Sequence, residues 1–109
     1  MFGNKMNAVE KAIRKKNANA LIGLADTNDM EVHLAAIHGL GSVGGDDACN
    51  YLVSRLGSEE PEVRIAVAKA LGELGDKHTK AFVTAQIAKE TNPEVKEALS
   101  KAMSQIRNY

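Results

Sequence analysis

Three histidines, one cysteine and two pairs of adjacent carboxylates are the groups in this 109-residue chain that could do chemistry. His33 and His38 stand five apart, whereas two metal ligands on one helical face need a spacing of three or four. His78 lies far from both. No metal ligand set is therefore assigned. Cys49 has no general base beside it in the sequence, and a nucleophilic thiol needs both a lowered pKa and a positioned base. As the sole cysteine it forms no internal disulfide, so it is expected to be an inert, structural thiol. Asp46-Asp47 and Glu59-Glu60 could suggest paired-carboxylate chemistry or a hard cation. Each pair falls just before an expected helix, where carboxylates satisfy free N–H groups and the helix dipole, and capping accounts for them. Gly39, Gly41, Gly44 and Gly45 are as dense as a phosphate loop, but no strand precedes them and the Gly-Lys-Ser/Thr of such a loop is missing. The residues offer no catalytic group, no cofactor site and no metal site.

Charge narrows the partners. Fourteen basic and fourteen acidic residues cancel, which removes the strongly basic footprint of a nucleic-acid binder. The short basic run Lys11, Arg14, Lys15 and Lys16 is confined to one end and has no tryptophan to accompany it. The balance is uneven along the chain: five basic and one acidic residue in 1–25, one and eight in 26–62, eight and five in 63–109. Opposite-signed segments can attract further copies of the chain or a polarised partner. No apolar run reaches the roughly 18 residues of a membrane span, and the N-terminus lacks the apolar run of a signal peptide. A cytoplasmic setting is the expectation.

Hydrophobic residues make up 44% of the chain and aromatics only 4%, so the core must be built from Ala, Leu, Val and Ile. Such side chains suit close helix–helix packing. Sliding the sequence against itself shows how the helices are arranged. Glu31-Val32-His33-Leu34-Ala35-Ala36 returns as Glu62-Val63-Arg64-Ile65-Ala66-Val67 and again as Glu94-Val95-Lys96-Glu97-Ala98-Leu99. Leu40-Gly41-Ser42-Val43-Gly44 matches Leu71-Gly72-Glu73-Leu74-Gly75, with a weaker echo at Met103 and Ile106.

Each unit reads as two helices. Pro61 suits a first turn, where its missing N–H costs nothing. Val63, Val67, Ala70, Leu71 and Leu74 then form one apolar stripe at helical spacing. Gly75 closes that helix and Asp76 caps the next. The second helix is expected to turn Thr79, Phe82, Val83 and Ile87 inward, and Asn92-Pro93 opens another first helix. One repeat earlier the inner residues are Ala48, Tyr51, Leu52 and Leu56; earlier still they are Ala20, Leu21 and Ala25. Met6, Val9 and Ile13 mark a helix within about residues 4–15. The units span 4–26, 29–57 and 60–90, with a terminal helix over 93–107, in one domain covering 1–109.

The pattern Glu-Val-Arg-x-x-Ala-x-x-Ala-Leu-Gly-x-Leu-Gly, here Glu62 to Gly75, resembles the HEAT-like repeats of phycobilisome lyases. The resemblance covers about residues 17–106. It implies an all-α fold: a short right-handed α-solenoid of about three and a half helix pairs, about seven helices in all. In such repeats the arginine after the valine pairs with an acidic residue of a neighbouring unit; Arg64 matches, Lys96 matches in part and His33 departs. Any inter-repeat ladder is thus expected to be weakest around His33. Some HEAT-like proteins are iron-dependent hydroxylases with His-Glu dipeptides as ligands, and no His-Glu occurs here.

What the resemblance implies for function is a protein-binding scaffold and not an enzyme, with its partner, another protein, lying along the concave face made by the second helices. The outward positions expected there are Asn19, Ile22, Asn50, Val53, Lys80 and Thr84. Two alternatives stand beside it. One is an accessory subunit resembling bilin lyases, although aromatic lining for a tetrapyrrole is scarce. The other is a self-associating structural module, a homodimer formed through an N-terminal end left sticky by Met1 and Phe2.

Overall fold

In the repeat, a proline or polar cap starts most helices, and Gly44 and Gly75 each end the helix before them. The computed structural model describes residues 2–106, Phe2 and Gly3 by their backbone alone. Seven α-helices follow in order: α1 (Phe2–Arg14), α2 (Ala18–Ala25), α3 (Met30–Val43), α4 (Asp46–Ser54), α5 (Pro61–Leu74), α6 (Lys80–Lys89) and α7 (Pro93–Gln105). A 3₁₀ turn, Lys77–Thr79, leads into α6, and no strand occurs among the described residues. The all-α solenoid expected from the repeat is the fold observed. The side chains of Met1 and Phe2, on which the sticky-end expectation rests, lie outside the described residues, as does Arg107 at the end of the expected terminal helix.

Local chemistry explains most boundaries. Asn17, Asp29 and Asn92 each turn a side-chain oxygen onto backbone N–H groups of the helix that follows. Pro61 and Pro93 occupy first-turn positions. Gly75 ends α5 in the left-handed region at φ 65°, where a Cβ would be strained, and its N–H reaches the Leu71 carbonyl at 3.0 Å. Asp76 accepts from the His78 N–H at 2.9 Å. The two carboxylate pairs behave differently from the capping role expected of them. Gly45 holds the cap position of α4, so Asp46 and Asp47 lie in its first turn and act only on the dipole. Glu60 caps α5 by its backbone alone and accepts instead from the Ser58 hydroxyl at 3.2 Å.

Helices α1, α3, α5 and α7 pack side by side as one layer, with α2, α4 and α6 forming a second. Their buried faces share one core that includes Leu21, Ile37, Leu40, Leu52, Val63, Val67, Leu71, Val83, Val95 and Leu99. Small residues bring the first layer together. A Cβ on Gly41 would stand 2.8 Å from the Cα of Ala70, and one on Gly72 would stand 3.1 Å from the Cα of Ala102. These are repeat-equivalent positions, which is why the glycines recur: they let α3, α5 and α7 approach backbone to backbone. Larger groups, Tyr51 and Phe82, occupy the second layer, and α4 and α6 stand further apart.

A polar clamp joins the two layers. Arg64 on α5 forms a two-pronged ion pair with Glu90, Nε to Oε1 at 2.9 Å and Nη2 to Oε2 at 3.0 Å. Its Nη1 also donates to the carbonyls of Ser58 and Glu59, at 2.7 and 3.1 Å. One guanidinium therefore ties the linker before its repeat to the linker after it. Glu90 further accepts from Gln86 Nε2 and the Asn92 N–H. Burial raises the Glu90 pKa, but the donors from Arg64, Asn92 and Gln86 outweigh it and hold the carboxyl below its usual range. At the equivalent position His33 makes a single bond, Nδ1 donating to the Ala25 carbonyl at 2.8 Å. The clamp is thinner at His33, where the departure from arginine lies.

Candidate functional site

Because the second layer is splayed, clefts open between its successive helices. One lies between α4 and α6, with a volume of 470 Å³, and its walls carry Asp46, Cys49, Asn50 and Val53 from α4. Asp76, His78, Thr79 and Phe82 close it from the other side. A second cleft of 480 Å³ lies between α2 and α4 and is lined by Ile22, Asp26, His33, Tyr51 and Arg55, among others.

The six positions expected to bind a partner divide among these features. Asn50 and Val53 line the α4–α6 cleft, and Ile22 lines the α2–α4 cleft. Asn19 and Thr84 are exposed beyond both, and the Thr84 hydroxyl donates to the Lys80 carbonyl at 2.9 Å. Lys80 is half-buried as the first residue of α6. The 31-residue register from Asn50 falls on Ala81, which is exposed, so Lys80 is one residue out of step with its supposed counterparts.

Phe82 corrects an expectation. It was placed on the inner face with Val83, yet it is 53% exposed, the one exposed large hydrophobic among the described residues. One residue turns a helix by about 100°, and α6 is covered on one side only, so Val83 faces the core while its neighbour Phe82 does not. Thr79, Val83 and Gln86 take the buried side, and Phe82 turns to the flank. The repeat register could have shown this: Phe82 stands 31 residues after Tyr51, itself only half-buried beside Arg55, whose guanidinium lies 5.8 Å from the ring centre. Tyr51 was likewise expected to face inward and is instead shared between core and surface.

The electrostatics of the α4–α6 cleft centre on Asp76. Hydrogen bonds from the His78 N–H and the His78 ring, Nδ1 to Oδ1 at 2.9 Å, keep its pKa below the usual carboxylate value. The Cys49 thiol points at the other oxygen, Sγ to Oδ2 at 3.5 Å. Burial, then the Asp76 hydrogen bond and charge, push that thiol up to about 11. Cys49 is 8% exposed, and a thiol held protonated at neutral pH is a poor nucleophile. Among the described residues no three His, Cys, Asp or Glu side chains come together as a metal site. No described helix is long and apolar enough to cross a membrane.

No curated protein matches the chain in comparison. The family model for HEAT repeats matches residues 17–104, which spans every helix from α2 to nearly the end of α7. Stacked helix pairs, glycine-mediated first-layer contacts and that match agree: the chain belongs to the HEAT-repeat family.

Proposed function

We propose that this chain is a non-enzymatic protein-interaction module that engages its partner with the second-helix face, centred on the α4–α6 cleft. HEAT repeats are in general scaffolds for protein–protein interaction. The single observation that supports this face is Phe82, a large apolar side chain left 53% exposed at the mouth of a cleft. Aromatic groups with an apolar body beside polar neighbours are the usual anchors of protein interfaces. Asn50 and Val53 supply an amide and further apolar surface within the same cleft. The opposite layer presents exposed charges such as Lys69, Glu94 and Glu97, which suit a solvated face.

The test is site-specific photocrosslinking in lysate of the source cells. A photoreactive phenylalanine analogue at position 82 should give a discrete heavier adduct, and the same group at Lys69 should not. Adducts of equal yield from both positions, or from position 69 alone, would refute this choice of face.

A further inference from the structure

We infer that the α4–α6 cleft receives an arginine-bearing segment of a partner protein, its guanidinium seated between Asp46, Asp76 and the ring of Phe82. This inference rests on the proposed second-helix face and names the chemistry of its occupant. Two carboxylates line the cleft, and no lysine or arginine is among its lining residues. Asp46 is exposed in the first turn of α4, and its carboxylate has no hydrogen bond or ion pair among the described residues. Asp76 spends Oδ1 on His78 and leaves Oδ2 with only the long Cys49 thiol contact, so a stronger donor can claim it.

Phe82 decides between cations. Acidic groups alone would accept a lysine equally well, but a planar guanidinium also stacks on an aromatic face while forking onto carboxylates. The chain already holds one such pair at Tyr51 and Arg55, the former at the repeat-equivalent position of Phe82. In the α4–α6 cleft the aromatic and the carboxylates come from this chain, and the guanidinium is the missing member. Val53 and Phe82 together favour an apolar residue next to the arginine. The other source of basic groups is a second copy, whose α1 carries Lys5, Lys11 and Arg14.

The probe is a displayed library of random 12-residue peptides selected on the full chain. The expected result is enrichment of peptides with an arginine beside an apolar residue. Their affinity should fall about tenfold with Asp46→Lys and about tenfold with Phe82→Ala, both exposed positions at which the fold is retained. Replacing the peptide's arginine by lysine should also weaken binding severalfold, and binding should weaken as salt is raised. Enriched peptides that depend on Phe82 but are acidic or neutral would overturn the arginine assignment and leave the face standing. Peptides indifferent to both substitutions, or no enrichment at all, would overturn the assignment and count against the face. Concentration-dependent dimerisation abolished by Asp46→Lys, with no peptide enriched, would replace the partner segment by a second copy.

Discussion

Replacing Arg64 by alanine tests the clamp that joins one repeat to the next. The substitution removes both prongs of the ion pair with Glu90 and two hydrogen bonds to linker carbonyls. Ser58 and Glu59 lie near solvent and can bond water instead, so their carbonyls contribute little to the loss. Glu90 is the costly remnant, 6% exposed and left with Gln86 and the Asn92 N–H as donors. Removing one partner of a buried pair costs about 3–5 kcal/mol. Two surviving donors and the 15% exposure of the Arg64 side chain place this case at or just below the low end of that range, about 2–3 kcal/mol. For a chain of this size that corresponds to a fall of roughly 10 °C in melting temperature.

The pH dependence follows from the direction of the Glu90 shift. Its folded pKa lies below 4.5, so its contribution in the wild type is complete above pH 4.5 and is lost as pH falls through the lower folded value. In Arg64→Ala the largest opposing donor is gone, burial dominates, and Glu90 takes up a proton at higher pH than before. The stability gap between the two proteins should therefore narrow between pH 7 and pH 4. Arg64→Ala combined with Glu90→Gln should recover part of the loss at pH 7, because a neutral amide tolerates burial better than a lone carboxylate. Urea unfolding followed by circular dichroism at 222 nm, for all three proteins at pH 7 and pH 4, measures these differences. A loss below about 1 kcal/mol at pH 7, or a gap independent of pH, would refute the assignment of the clamp as a buried, desolvated pair.

Two glycines make a contrasting pair. Gly41→Ala puts a methyl against the backbone of Ala70 and should cost about 1–3 kcal/mol despite the better helix propensity of alanine, whereas Gly23→Ala, with nothing within 4 Å, should stabilise by about 0.5–1 kcal/mol; thermal melts decide both. Asn92→Ala removes the cap that bonds the Glu94 and Val95 N–H groups and should cost about 1 kcal/mol, seen as earlier amide exchange in α7 than in α5. Cys49 in the native protein should resist iodoacetamide at pH 7.4 and react at the rate of a free thiol only in denaturing urea. Fast native labelling would show that the thiol is neither as buried nor as strongly protonated as its surroundings imply.

Much of the architecture was legible in the sequence because it depends on local rules. Asn17, Pro61, Gly75, Asp76, Asn92 and Pro93 sit where caps and breakers must sit, and the stripe Val63, Val67, Ala70 and Leu71 needs only the helical period to be read. The 31-residue repeat added the stacking, since a helix pair buries its second face only against a neighbour. The glycines at 41 and 72 announced close packing through their shared register. The 31-residue register pairs Phe82 with half-buried Tyr51 and so hinted that it faces outward, but its degree of exposure and the role of Asp46-Asp47 were not legible, for a different reason. How much of a flanking residue is covered depends on where the neighbouring helix lies, and α4 and α6 stand far enough apart to leave Phe82 exposed. Asp76 of one repeat meets Cys49 and shares a cleft with Asp46 of the repeat before it, and Arg64 finds Glu90 26 residues away. Sequence alone determined that this chain would be a stack of helix pairs; only the tertiary packing decided which side chains the stack buries and which it leaves, like Phe82, at the mouth of a cleft.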